Sequence, residues 1–426
     1  MNPLPSLHVA LLGPAATPDF AALGSPEFQD LPLGYVGAPF MATLAAGLLA
    51  RGHRVTVVSM SSDLPCKGPA AVSRRMGGLE LVYVPQRKGA WRSNGRRPGH
   101  ILDLFRFERR AMHTALGQIQ PDVVHAHWPY EFAWAAIDSG LPHIVTCHES
   151  PFRVASHYSG WRLGGYRRIK AWMAWYALRR AACVTAVSPY VAREIAPLCR
   201  GAAQVVPNPV EPPSAATVPM ARAPGSTARV LMVCNGWSAL KNPRAGLQAF
   251  ARVANAVPGV ELVLLGHGFE PDGPAQRWCR EVGMTGRLVF AGPARHDEVA
   301  AWMAGSDLLL HPSLEESFGM VVAEALAAGV PVVGGQESGA VPWVVGEGGR
   351  LVDVRHPQEM AQAMLELLRD QGLRARLGQA GRSGVLARFG VESVVGAYEE
   401  LYRHVSSRRA GHEAWSPGRI GAGAWS

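Results

Sequence analysis

The 426-residue chain is 48% hydrophobic and carries a formal net charge of +9. One hydrophobic core rarely grows beyond about 250–300 residues, so two domains are expected. No apolar run approaches the roughly 18 residues of a membrane-crossing helix, which excludes an ordinary span. The charge is uneven: residues 1–206 hold 22 Lys and Arg against 12 Asp and Glu, whereas the remainder holds 20 against 21. A basic first half suits an anionic surface or acceptor, and no helix-turn-helix, zinc-finger or RNA-binding motif supports nucleic acid as that partner. The six cysteines are scattered without the close pairs of a zinc site, and are read as reduced residues of a cytosolic protein. The start, MNPLPSLHVALLG, lacks a basic n-region, so no secretion signal is expected and the localisation is read as cytoplasmic.

In chain order, residues 7–12 (LHVALL) form a strand, followed by a Pro- and Gly-rich loop to Gly34, an apolar helix over 39–51 ending at Gly52, and a strand over 53–59. This strand, loop, helix, strand opening is of Rossmann type. Residues 79–84 read as a third strand. The loop 86–100 places Arg87, Lys88, Arg92, Arg96 and Arg97 around Trp91, a composition that suits an anionic membrane surface. A helix over 102–119 and a strand over 122–126 follow, with His127 and Trp128 just past the strand end. The strand 142–146 leads into Cys147, His148 and Glu149. Residues 152–182 are rich in Trp and Arg; at helical spacing Ile169, Trp172, Met173 and Tyr176 form a core-facing stripe, and Arg168, Trp175 and Arg179 another face. That second face predicts peripheral membrane attachment. Strands over 184–188 and 204–206 complete the first domain, 1–206, and the Pro-, Ala- and Ser-rich residues 207–228 read as a linker.

A second Rossmann-like unit starts with the strand 229–235, the loop from Gly236 to Pro243 and a helix over 244–257. Lys241 is the last lysine of the chain. In a loop between a strand and a helix N-terminus, its ammonium and the helix dipole both favour an anion. The strand 260–265 ends in Gly266-His267-Gly268, a turn that lets backbone approach a ligand, and a further strand covers 287–291. The stretch His311–Gly339 then reads as strand end, polar loop, helix over 320–328 and strand over 330–333. In a parallel α/β sheet, ligands bind where loops leave the carboxyl ends of strands, so Glu316 is expected in that mouth and Glu324 one or two helical turns deeper. Amphipathic helices cover 358–369 and 373–388. The donor-side domain is thus 229–390, with a terminal helix over 391–405 and a tail over 406–426 of disordered composition.

The segment Glu316-Ser317-Phe318-Gly319 through Glu324, closed by Ala-Ala-Gly-Val-Pro-Val-Val, resembles the E-x7-E signature of retaining GT-B glycosyltransferases of family 4. The resemblance implies two Rossmann-like domains facing across a cleft, with 391–405 crossing back to the first. It also implies transfer of a hexose-type sugar from a nucleotide-sugar to an acceptor hydroxyl, without cofactor or metal, in cell-surface polysaccharide or glycolipid synthesis. Partners are then a nucleotide-sugar donor, a saccharide or lipid-linked acceptor and an anionic membrane surface at the inner face of the cell. By the same resemblance Glu316 holds donor hydroxyls, Glu324 the ribose, Lys241 the diphosphate, and His148, in a Thr-x-His motif, the sugar's far edge. Ser317, Phe318, Gly319, Gly236 and Gly266 line the donor. Gly34 and Gly37 stand where the family places an adjacent glycine pair, and either is open to that role. Two departures stand out: Trp237 occupies the place of a diphosphate-binding arginine, and Trp343 lies where an acid is common. Residue patterns leave a nucleotide-sugar epimerase, a phosphorylase and a non-catalytic sugar-nucleotide-binding protein as alternatives. A hydrolase fits less well, since its two carboxylates must flank one bond.

Overall fold

The computed structural model describes residues 6–24, 27–67, 70–214, 217–221, 225–284 and 286–407. The chain divides into two compact units, Met1–Pro209 together with Val391–Ser426, and Val210–Gly390.

Among the described residues, the first unit is built on one eight-stranded sheet. Its strands are β1 (His8–Leu12), β2 (Arg54–Ser61), β3 (Val72–Met76), β4 (Leu79–Pro85), β5 (Val123–His127), β6 (His143–Cys147), β7 (Val184–Ala186) and β8 (Gln204–Val205). They run in the order β3-β4-β2-β1-β5-β6-β7-β8, and every pairing is parallel except β3 with β4. The central strands read as continuous apolar runs because helices cover both faces; all five residues of β1 are buried. The antiparallel edge strand β3, Val-Ser-Arg-Arg-Met, was not expected, because its solvated face leaves only Val72 and Met76 to signal a strand.

The terminal helix, Val391–Ser407, belongs to this unit and buries Val394, Val395, Tyr398, Leu401, Tyr402 and Val405 in its core. At about 1.5–3 kcal/mol for each aliphatic side chain, that face makes the helix a part of the core rather than an appendage. Glu399 anchors it, accepting from Arg51 and pairing with His53, each at 2.6 Å. The helix extends two residues past the expected end at 405; the rest of the expected tail, 408–426, lies outside the described residues.

The second unit contains β9 (Ala228–Val233), β10 (Val260–Leu265), β11 (Arg287–Gly292), β12 (Leu308–His311), β13 (Val332–Gly335) and β14 (Gly349–Val352). All pair in parallel in the order β11-β10-β9-β12-β13-β14. Buried Arg229 on β9 pairs with Glu261 at 2.6 Å and donates to the carbonyls of Met220 and Ala221. Residues 220 and 221 of the expected linker are thereby strapped onto this sheet.

Two expectations about the basic face are corrected. Arg87 is not a surface cation. It is 1% exposed and holds Asp103 at 2.7 Å and Glu108 at 2.6 Å, which satisfies its charge internally. Trp172 is not in the core stripe but 45% exposed. The helix Gly165–Leu178 is instead turned so that Lys170 reaches Glu131 at 2.7 Å and the Tyr130 ring at 4.1 Å, which leaves Trp172 at the margin beside Trp134 and Tyr176.

Candidate active site

Strand order decides where the second unit can bind. β9 sits between β10 and β12, so the chain leaves β9 toward one side of the sheet and β12 toward the other, and a crevice opens between those two loops. The loop after β9 carries Lys241, and the loop after β12 carries Glu316. Their side chains meet: Lys241 Nζ donates to Glu316 Oε1 at 2.6 Å. Two of the residues singled out in the sequence, 75 positions apart, are thus one polar pair at the topological switch point.

Glu316 is held from both sides. Its N–H donates to the Ser338 carbonyl and its own carbonyl accepts from Ala340 N–H, forming a bridge with Gly339. Gly339 adopts φ +65°, and a Cβ there would collide with the Glu316 carbonyl oxygen, so the glycine is required for this approach. His311, the last residue of β12, brings Nε2 to 3.3 Å from the same Oε1. Burial alone would raise the Glu316 pKa, but the neighbouring His311 and Lys241 outweigh it and hold the carboxyl down at about 2.

Gly319, at φ +92°, starts the helix Met320–Ala327 from a left-handed conformation that other residues resist. Its free N–H groups are the helix's anion-stabilising end. Glu324 lies on that helix, 17% exposed at the side chain, with His296 Nδ1 at 3.9 Å. Burial pushes its pKa up to about 7. The folded chain therefore keeps this proton at pH values where the unfolded chain has lost it, and stability falls as pH rises from about 4.5 to about 7. Glu324→Gln, which imitates the protonated form, is expected to stabilise the ligand-free protein by on the order of 2 kcal/mol near pH 8 and by nothing near pH 4, read by urea unfolding at the two values.

The remaining expected donor residues divide. A Cβ at Gly236 would meet nothing within 4 Å, whereas one at Gly266 would run into the Cys234 carbonyl. The first glycine therefore faces open space and the second permits close packing of two loops, which Gly236 N–H reinforces by donating to the His267 carbonyl. Ser317 is partly exposed beside Glu316. Phe318 is 3% exposed and packs edge-on against Trp343 and Phe389, so its side chain anchors the loop instead of lining the mouth. Trp343 thereby has a structural account. Trp237 packs on Phe269 and Trp278, and the exposed Arg244, which opens the next helix, lies 5.5 Å over its ring. Reading the sequence missed both Arg244 and His311; helical phase from Pro243 offered the one signal for Arg244, and none marked His311.

In the first unit, His148 follows β6 and lies beside the carboxyl end of β5, the neighbour of β1 across the strand-order reversal. It stacks on Trp128 at 4.3 Å and meets the Phe40 ring at a tilt at 4.7 Å, and its Nε2 is 2.9 Å from His127 Nδ1. Burial and then the His127 imidazole push its pKa well below the ordinary value, against an opposing Asn208 hydrogen bond, so the ring is neutral at physiological pH. His127 is lowered by burial to about 3. His125 is bonded to Tyr402 and Thr146 at 2.7 and 2.6 Å and is structural. Gly34 takes φ +79° in a turn packed on Ala15 and Tyr83, whereas a Cβ on Gly37 would meet open space. Of the two, Gly37 has room for a ligand. Among the described residues no group of three His, Cys, Asp or Glu is placed to hold a metal ion.

Sequence comparison converges on the same regions. The profile "Glycosyltransferase Family 4" matches residues 38–213, and "Glycosyl transferases group 1" matches residues 227–370, which contain Lys241, Glu316 and Glu324. The chain belongs to the GT-B glycosyltransferases of the family 4 type. Family relatives include the N-acetyl-alpha-D-glucosaminyl L-malate synthase of Bacillus anthracis, 32% identical over 42% of this chain and 46% of that protein. A lipopolysaccharide core biosynthesis glycosyltransferase of Rhizobium meliloti is 32% identical over 37% of this chain and 46% of its own. The chain thus spans about half the length of the curated relatives it matches. Sucrose-phosphate synthase from Thermosynechococcus elongatus shares the fold, with a TM-score of 0.70 at 19% identity over 94% of this chain and 100% of that one.

Proposed function

We propose that the chain transfers a hexose-type sugar from a nucleotide-sugar to an acceptor hydroxyl, with retained configuration and without a metal or resident cofactor, in the synthesis of cell-surface polysaccharide or glycolipid. The observation that carries this reading is the Lys241–Glu316 pair at the switch point of the second sheet, beside the N-terminus of the helix Met320–Ala327.

Glycosyl transfer needs positive charge where the diphosphate departs and a fixed sugar while an oxocarbenium-like carbon meets the acceptor. Lys241 and the helix N-terminus are assigned the leaving group. Glu316, ionised and pinned through its backbone, accepts from donor hydroxyls. Glu324 accepts from the ribose, and the open space at Gly236 and Gly37 admits ligand against backbone. His148 is assigned the sugar edge near the acceptor, and being neutral it contributes hydrogen bonding and shape, not charge. Release of nucleoside diphosphate on mixing with donor and acceptor tests the reading; binding without turnover, unchanged in Glu316→Ala, favours a non-catalytic sugar-nucleotide-binding protein instead.

The same reading places the first unit on an anionic membrane face. Trp161, Leu163, Phe152, Trp172 and Trp175 are exposed, and no Asp or Glu occurs from Ser150 to Arg193. Trp91 of the basic loop packs 6.1 Å from Trp161 and donates to the Arg162 carbonyl, which joins the two sequence segments into one surface. Aromatic rings with basic neighbours and no acids suit an anionic headgroup region, each cation adding about 1 kcal/mol. The protein is expected to float with phosphatidylglycerol vesicles at low salt and to stay behind with neutral ones. Absence of flotation on both would remove this surface from the account.

A further inference from the structure

His127 ends β5 with its imidazole 1% exposed. Its Nδ1 lies 2.9 Å from His148 Nε2, whereas its own Nε2 is shielded from solvent and has no hydrogen-bond partner. The Phe40 ring at 5.6 Å and the His125 ring at 4.0 Å pack against it, and His125 has both nitrogens engaged, by Tyr402 and Thr146. His127 is thus fixed at a strand end, and among the described residues its one side-chain hydrogen bond goes to the imidazole assigned to the sugar edge.

Both rings are neutral, because burial holds each below its ordinary pKa. Between two neutral imidazoles one nitrogen must donate and the other accept. If His148 Nε2 carried the proton, His127 would accept at Nδ1 and hold its own proton on Nε2, as a buried N–H with no acceptor. If His127 Nδ1 carries it, Nε2 is left as an unmet lone pair, which native interiors tolerate more readily than an orphaned N–H. The second arrangement makes His148 accept at Nε2 and puts its proton on Nδ1. Asn208 also bonds the His148 ring, but an amide serves either form, so the choice falls to His127.

We propose that His127 is a positioning residue for the transfer: by donating from Nδ1 to His148 Nε2 it fixes that ring's rotation and tautomer, so that His148 offers the donor sugar an N–H at Nδ1. The inference rests on the assignment of His148 to the sugar edge. A ring turned over about its Cβ–Cγ bond would show the sugar a carbon where the N–H belongs, and it would lose the bond to His127. No covalent bond changes in either ring, and neither gives up its proton during the transfer.

Two substitutions separate positioning from packing. The amide of His127→Asn lies near the place of Nδ1 and can donate to His148, whereas that of His127→Gln reaches toward Nε2 and cannot; Gln is nevertheless the nearer to His in volume. Release of nucleoside diphosphate from UDP-, GDP- and ADP-glucose, with water as the acceptor, is measured on the whole protein. His127→Asn is expected to stay within about threefold of wild type, and His127→Gln to lose about ten- to a hundredfold in kcat with KM little changed, the scale of a misplaced group. His148→Ala sets the floor, and adding His127→Gln to it should cost nothing further. An Asn variant no better than the Gln variant overturns the proposal and leaves the donor-site reading standing. No loss in His148→Ala, or no release from any of the three donors, overturns both. Long-range nitrogen–proton NMR spectra of isotope-labelled histidine in the wild-type protein need no folded variant of His127. They are expected to show both rings protonated at Nδ1, and a His148 ring protonated at Nε2 overturns the proposal.

Discussion

Glu316→Gln is expected to lower transfer by about a hundred- to a thousandfold while leaving the fold intact, the range seen when one fixed polar group is removed from a charged transition state. The substitution keeps shape and backbone, so the Ser338 and Ala340 bonds that pin the residue survive. What goes is the charge that holds Lys241 and accepts from the donor sugar. Because the interaction is strengthened as charge develops on the sugar, the loss should fall on kcat more than on KM. The carboxyl's low pKa sets its pH behaviour. The folded value lies below the unfolded one, so its contribution to stability is present above about pH 4.5 and is lost as pH falls toward about 2. The acid limb of a rate profile near neutrality should therefore belong to some other group, and steady-state kinetics between about pH 5 and 8 checks this.

Lys241→Ala is expected to cost a comparable factor, but to show it first in binding. Nucleoside diphosphate affinity should fall by about tenfold or more, as for loss of a charge-assisted hydrogen bond, measured by calorimetry on wild type and variant. The effect is large because Trp237 stands where the family commonly has an arginine, and Arg244 near its ring is a stacked, exposed cation rather than one fixed against Glu316. Lys241→Arg should restore only part of the loss, since a planar fork does not replace a compact ammonium 2.6 Å from a carboxylate oxygen. The double variant with Glu316→Gln should lose less than the product of the two, because the residues share one contact.

The sheets were largely legible in the sequence because parallel strands buried on both faces announce themselves as apolar runs, as in residues 260–265, where expected and observed bounds coincide. Elements whose faces are mixed were not. The edge strand β3 shows three exposed residues in five, and the helix Glu131–Asp138 hides because its Glu131 is buried against Lys170 from another helix. The site followed the same division. Glu316, Lys241 and Glu324 lie in loops and helix starts that the Rossmann pattern marks, and strand order then brings two of them into contact. His311 could not be read, because a histidine ending a strand gains its meaning only from the loop that folds back over it. The packing of Phe318 and Arg87 was hidden for the opposite reason: their types suit a ligand or a membrane, and only the fold shows the first side chain wedged among aromatics and the second neutralised by two acids.

The measurement that tests the central claim most directly is a melting-temperature panel with UDP-, GDP- and ADP-sugars on wild type and Lys241→Ala. A ligand that binds only the folded state raises the melting point by mass action. At least one donor is expected to raise that of wild type by several degrees, and the same donor to raise that of Lys241→Ala by clearly less. No response to any of the three, or equal responses in both proteins, would contradict a nucleotide-sugar site at the Lys241–Glu316 pair.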